Sequence, residues 1–153
     1  GKIPALILDD GMVLFDSRVI LEWLDLRAGG GRILPTEAGP RFAALRLQAL
    51  ADGLADAALL IVYEGRLRAE AERSPNWLAH QQGKIDRVLA TLEGAPPASD
   101  APLSVGTIAL ACALGYLDLR LAGRWRDAHP KLVAWLDAFA ARFPSFEKTR
   151  FVP

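Results

Sequence analysis

The chain has 153 residues, enough for one domain or one and a piece, and at this size roughly two-thirds of the unfolded surface can be buried. Apolar residues make up 52% and charged residues 24%, which excludes a disordered chain of low hydropathy and high charge. Lys plus Arg and Asp plus Glu each number 18, and the zero balance leaves no electrostatic footprint for nucleic acid. No apolar run approaches the ~20 residues that cross a bilayer, and nothing reads as a signal peptide. The single cysteine, Cys112, excludes an internal disulfide and a thiolate metal cluster and fits a reducing, cytoplasmic location. The expectation is a soluble protein with neither nucleic-acid nor membrane partner.

The chain starts Gly1-Lys2-Ile3-Pro4, without methionine, and enters an apolar run almost at once. Ala5-Leu6-Ile7-Leu8 is apolar at successive positions and reads as a strand buried on both faces. Asp9-Asp10-Gly11 and then Met12-Val13-Leu14-Phe15 follow. Asp-Gly between two apolar runs predicts a hairpin, because glycine accepts positive φ without a Cβ clash. Asp16-Ser17 opens a helix with Val19, Ile20, Trp23, Leu24 and Leu26 as its apolar side, and aspartate is a preferred N-cap. Gly29-Gly30-Gly31 ends it.

From Pro40 the pattern is helical only. Leu47, Leu50, Leu54, Ala58 and Ile61 advance by three and four through a helical stretch over 40–72. Ser74-Pro75 restarts the chain with serine as N-cap and proline at the first helical position, and that helix runs to about Glu93. Ser104 is the next N-cap, with Leu103 and Ile108 spaced as a hydrophobic staple. Thr107 stands where a capping box usually has glutamate, so the box reads as imperfect. Residues 108–121 are apolar nearly all round, which predicts a central, buried helix. Cys112 falls inside it. The last long helix starts near Pro130 with Leu132, Leu136, Phe139 and Phe143 as its stripe, and Pro144 breaks it.

Four segments then carry a resemblance. Lys2-Ile3-Pro4-Ala5-Leu6 with Asp16-Ser17-Arg18-Val19-Ile20 and Trp23-Leu24-Asp25 is similar to the second half of the thioredoxin-like domain of the glutathione S-transferase family. Ala51-Asp52-Gly53-Leu54-Ala55-Asp56-Ala57-Ala58 resembles the first helix of the second domain in bacterial members. Ser104-Val105-Gly106-Thr107-Ile108 resembles the capping motif of that domain's core helix, with threonine where the family usually has aspartate. His129-Pro130-Lys131-Leu132, Trp135, Arg142-Phe143-Pro144-Ser145-Phe146 and Thr149 resemble the last helices. The implied fold is an α+β fragment, mainly α: a partial thioredoxin-like domain (hairpin plus helix) over 1–30, a linker over 31–39, and an all-helical domain over 40–153.

The resemblance also implies a site. In the family the proline matching Pro4 is cis, although only ~5% of X-Pro bonds are. The turn aims the N–H and C=O of the residue before it, here Ile3, at the cysteinyl backbone of glutathione. The γ-glutamyl carboxylate binds at the helix start, here Asp16 and Ser17, where free N–H groups and the dipole favour an anion. Lys2 is either a partner for the glycyl carboxylate or a solvated lysine. Leu59, Val62, Tyr63 and Arg66 are candidates for the wall of a pocket for a small hydrophobic electrophile, the alternative being core packing or solvent exposure. Glutathione is thus expected as co-substrate, with no metal, and a homodimer through the helix after Asp16 and the helices of 40–94.

The expected reaction is attack of the glutathione thiolate on an electrophile. Family members carry the activating tyrosine, serine or cysteine in about fifty residues matching the part before Gly1, enough to complete a domain of ordinary size. The chain itself is expected to hold no catalytic residue and to derive from a truncated or cleaved transferase. The alternatives are a non-catalytic interaction module of the same fold, or a glutathione-dependent reductase, dehalogenase or isomerase. Trp23, Trp77, Trp125 and Trp135 read as core or interface anchors, and His80 and His129 as structural. Asp118 with Arg120 reads as a partly buried contact, and Glu64 with Arg68 as a surface pair.

Overall fold

The computed structural model describes residues 1–151. Two short strands, β1 (Leu6–Ile7) and β2 (Val13–Leu14), precede helices α1 (Ser17–Arg27), α2 (Ala38–Leu67), α3 (Pro75–Gly94), α4 (Val105–Leu121), α5 (Pro130–Arg142) and α6 (Ser145–Lys148). The strands pair antiparallel, Leu6 with Leu14 and Ile7 with Val13. Gly11 closes the hairpin at φ +86° and donates to the Leu8 carbonyl at 2.9 Å. The predicted double-sided burial of Ala5–Leu8 does not hold: Leu6 is half-buried and Ile7 is 72% exposed. The reason is that β2 is the only strand beside β1 among the described residues.

The helical core follows the predicted stripes. Leu54, Ala58, Leu110, Leu114, Leu117 and Leu132 are fully enclosed, and Trp125, Trp135 and Phe139 join them. Each leucine so buried contributes roughly 1.5–3 kcal/mol by leaving water. The predicted helix over 40–72 stops earlier, at Leu67, with a single 3-10 turn over Glu70–Glu72. Glu64, one turn before that end, is buried on the inner side of α2. It accepts from the Ser74 N–H at 2.9 Å and from Arg68 Nε at 3.1 Å, tying the start of α3 back to α2. Glu64 is therefore a joint between two helices through Ser74, while its i,i+4 partner Arg68 stays largely exposed.

α4 runs through the centre and packs most extensively on α2. Its cap is complete: Ser104 N–H donates to Thr107 Oγ1 at 2.9 Å and Thr107 N–H to Ser104 Oγ at 3.2 Å. Threonine thus does what glutamate does in the usual box. At Gly106 the α4 backbone passes so close to α2 that a Cβ would lie 2.5 Å from the Ala44 carbonyl oxygen. α5 has no cap of its own; Glu93 on α3 supplies it, accepting from the Lys131 and Leu132 N–H groups, both at 3.0 Å. Asp118 pairs with Arg126 Nη2 at 2.6 Å and accepts from Trp125 Nε1 at 2.9 Å. Its partner is thus Arg126 and not the predicted Arg120, because α4 ends at Leu121 and Gly123, at φ +63°, turns the chain back.

Candidate functional site

The site is built where the hairpin meets α1. The Ile3–Pro4 bond is cis, as the resemblance implies, and Ile3 is 89% exposed. Lys2 just before it reaches the helix start: Nζ lies 3.5 Å from Asp16 Oδ2. So residues 2–4 and the N-terminus of α1 share one corner of the molecule. Lys2 is engaged with Asp16 here, which gives the lysine a partner within the chain.

Asp16 is the N-cap of α1, accepting from the Arg18 N–H at 3.2 Å, while its carbonyl takes the Ile20 N–H. That N–H bond outweighs partial burial and, with the Lys2 charge, holds the Asp16 carboxyl below its usual range. The first turn of a helix has N–H groups without intrahelical acceptors. Asp16 takes one of them, and the N–H groups of Ser17 and Val19 remain for a ligand. Ser17 is half-buried beside them. A carboxylate placed there meets N–H donors, a hydroxyl and the positive end of the dipole.

Two anchors hold α1 in place. Arg18 Nε donates to Asp52 Oδ2 of α2 at 2.6 Å. Asp25, buried at the other end of α1, accepts from the N–H groups of Gly31, Arg32 and Ile33 at 2.8–2.9 Å. Burial raises the Asp25 carboxyl, and these N–H donors outweigh it, so its pKa ends below the ordinary value. The loop they fix carries its next link into the helical layer, because the Ile33 carbonyl accepts the Val105 N–H at 2.8 Å. Sequence reasoning missed Asp25, although Asp followed by three glycines was a signal for a carboxylate over a loop rich in free N–H groups.

The predicted electrophile residues lie on one stretch of α2 but do not form one pocket. Leu59 and Val62 are half-buried; Tyr63 and Arg66 are exposed. Tyr63 lines a cleft toward α3 with Leu60, Leu67 and Trp77. Arg66 is exposed, and its charge, with that of Arg120, acts on the half-buried Tyr116 phenol of α4. Sequence reasoning missed Tyr116 because α4 is apolar nearly all round and a half-buried phenol there reads as core. Burial raises the Tyr116 phenol, so it stays protonated near neutrality as a hydrogen-bond donor.

Tyr116 and Cys112 also border a hollow of about 770 Å³ between α4, α5 and α6. Cys112 is exposed on the flank of α4, not buried as predicted. Desolvation by its apolar neighbours nevertheless raises its thiol, the reverse of an activated cysteine. Trp125 and Trp135 are core residues, Trp23 is half-buried under Arg27, and Trp77 is 41% exposed and stacks on His80. His129 Nδ1 lies 2.6 Å from the Trp125 carbonyl oxygen, a structural contact. Among the described residues no group of three or more His, Cys, Asp or Glu side chains converges as a metal site.

Known proteins resemble this chain in sequence and in fold. Residues 1–27 match the family Glutathione S-transferase, N-terminal domain, and residues 75–138 match Glutathione S-transferase, C-terminal domain. The chain is 35% identical to the uncharacterized GST-like protein YibF of Escherichia coli strain K12, over 97% of this chain and 75% of YibF. It superposes with a TM-score of 0.93 on a glutathione transferase family member of Pseudomonas fluorescens Pf-5, 45% identical, covering 100% of this chain and 79% of that one. That crystal structure holds S-(propanoic acid)-glutathione. A glutathione S-transferase of Methylobacillus flagellatus KT, 37% identical with a TM-score of 0.90, covers 99% and 76% and has glutathione bound. With both family halves matched in order and these identities over nearly its whole length, the chain belongs to the glutathione S-transferase family.

Proposed function

We propose that this protein binds glutathione at the corner of Ile3–Pro4 and α1, and that it serves conjugation of the glutathione thiolate to small electrophiles. The observation that carries the reading is the 3.5 Å approach of Lys2 to Asp16, which sets an exposed backbone stretch beside an open helix start. The Ile3 backbone pairs with the cysteinyl backbone of glutathione. The Ser17 hydroxyl and the first-turn N–H groups take the γ-glutamyl carboxylate. Asp16 holds that turn, and Lys2, once it leaves Asp16, is the partner for the glycyl carboxylate. Relatives at 45% and 37% identity that hold glutathione or its thioether support this reading.

In conjugation the thiol loses its proton, the sulfur forms a bond to the electrophilic carbon, and a leaving group departs or a conjugated double bond takes up the electron pair. The proton must be lost at neutral pH, so a donor is needed beside the sulfur. In our reading that group is none of these 153 residues, and the chain by itself gives no conjugation above the solution rate. In our reading Leu59, Val62, Tyr63 and Arg66, spread along one stretch of α2, are that helix's share of the surface that meets the electrophile. The reading divides the chain at 1–30, 31–39 and 40–153. It also makes the protein a cytoplasmic, bacterial homodimer: Leu26, Phe42, Leu67 and Trp77 on α1, α2 and α3 expose large apolar surface of the kind that subunits cover.

Calorimetric titration with glutathione tests the reading. Saturable one-site binding in the millimolar range or tighter is expected. Absence of heat up to several times that range, about 10 mM, would leave an association module of the same fold.

A further inference from the structure

The first turns of α1 carry the proposed ligand groups, yet they do not close against the helical layer. A hollow of about 280 Å³ lies between Arg18, Val19 and Glu22 on α1 and Leu45, Gln48 and Ala49 on α2. Apolar packing joins α1 to that layer through Leu21, which rests on Leu34, Ala44 and Val105. Two charged pairs cross beside the hollow: Arg18 Nε donates to Asp52 Oδ2 at 2.6 Å, and Arg41 Nη2 donates to Glu22 Oε1 at 2.8 Å. They are not equivalent. The Asp52 side chain is 26% exposed and Glu22 is 61% exposed, so the pair nearer the ligand end is the better shielded from water.

Asp52 stands on the fixed side of the gap. Its neighbours on α2, Ala51 and Leu54, are fully enclosed in the core, and close packing there holds the helix in place. Arg18 stands on the ligand side. It follows Ser17 directly, and its own N–H is taken by the Asp16 carboxylate at 3.2 Å. One residue is thus held twice, its backbone by the helix cap and its guanidinium by α2. The Ser17 and Val19 N–H groups offered to a ligand belong to the residues on either side of it.

We propose that Asp52 is a positioning residue for glutathione: through Arg18 it holds the first turn of α1 in the orientation that receives the γ-glutamyl carboxylate. This rests on the proposed glutathione site. A ligand that meets a turn already held has no ordering cost there, whereas a turn that samples other orientations weakens apparent affinity in proportion to the time it is not competent. The proposal also fixes a sign. By Coulomb's law alone, Asp52 opposes an anion at α1 and Arg18 favours it, so removing the Asp52 charge would tighten binding. Positioning requires the reverse, because Asp52 acts through Arg18 and not on the ligand.

Calorimetric titration with glutathione of Asp52→Asn, Arg18→Gln and the two together separates these roles. Each single variant is expected to bind about threefold more weakly, within the roughly fivefold that an exposed ion pair supports, and the double variant no more weakly than either. Arg18→Lys, which keeps a cation opposite Asp52, should recover most of the loss, and all four circular dichroism spectra should match. In a Ser17→Ala background the effect of Asp52→Asn should shrink, since both act on one turn. Unchanged or tighter binding by folded Asp52→Asn overturns the proposal, as do losses that add in the double variant or a loss in Arg18→Lys as large as in Arg18→Gln. Asp52→Ser gives the same reading where Asp52→Asn does not fold. Each of these outcomes leaves glutathione binding to the unaltered chain intact and overturns this inference alone; no binding to the unaltered chain overturns the site reading and this inference with it.

Discussion

Lys2 and Asp16 are fourteen residues apart in sequence and 3.5 Å apart in space. The hairpin between them, with two paired residues in each strand, brings the two together. An exposed ion pair of this kind is worth about 0.2–1 kcal/mol, so it marks the corner more than it stabilises it. What it marks is a place where main-chain groups and a helix start face one ligand.

Ser17→Ala tests the helix-start half of that corner. The variant keeps the Asp16 cap and the backbone N–H groups and loses one hydroxyl. Glutathione affinity should fall about threefold to tenfold, the value of a single hydrogen bond to a charged or polar partner, with unfolding midpoint unchanged. Unchanged affinity would remove Ser17 from the site.

Gly106→Ala tests the packing that positions the site. A methyl at that position lies 2.5 Å from the Ala44 carbonyl oxygen and 2.8 Å from Leu47 Cβ, and backbone cannot step aside cheaply. The expected loss in urea unfolding is about 1–3 kcal/mol. A neutral result would show that α2 and α4 separate more easily than this contact implies.

Gln81→Leu tests the opposite case. Gln81 on α3 is fully buried and neither its amide nitrogen nor its oxygen has a hydrogen-bond partner among the described residues. An unmatched buried amide costs on the order of 1–3 kcal/mol, so an apolar side chain of similar size should raise stability by about 1 kcal/mol or more. A loss of stability would mean that the amide is satisfied in solution by a buried water.

Asp25→Asn tests the loop anchor and has a definite pH signature. The Asp25 carboxyl is lowered from 3.8 in the folded state, so it stabilises the protein fully above that value and the contribution is lost as pH falls below it. The variant should be less stable by about 1–3 kcal/mol at pH 7, because one carboxylate now accepts three N–H bonds that an amide cannot all accept. The gap between the two proteins should narrow toward pH 3. A gap independent of pH would assign the loss to packing instead.

Local signals were legible in the sequence and distant partners were not. Asp16, Ser74 and Ser104 each cap a helix by bonding within three residues, so type and spacing suffice to place them. The stripe containing Leu54 and Ala58 was legible for the same reason, since helical period depends on neighbours only. Glu93 caps a helix nearly forty residues on, and Glu64 reaches ten residues to Ser74; nothing near either glutamate announces its partner. Arg120 was assigned to Asp118 by proximity in sequence, whereas the turn at Gly123 delivers Arg126 instead. The strand at Leu6–Ile7 shows the same limit from the other side: an apolar run predicts a strand, but what covers it lies outside the run. The Ile3–Pro4 and Asp16–Ser17 elements were each weak alone and informative together, because the resemblance supplied the spatial relation that local pattern lacks.

The most direct test of the account follows backbone amide signals by nuclear magnetic resonance while glutathione is added. The account predicts that the N–H signals of Ile3, Ser17 and Val19 shift and saturate together, while those of α5, such as Leu136 and Phe139, stay in place. Shifts gathered around another part of the surface, or none at all at millimolar glutathione, would contradict it.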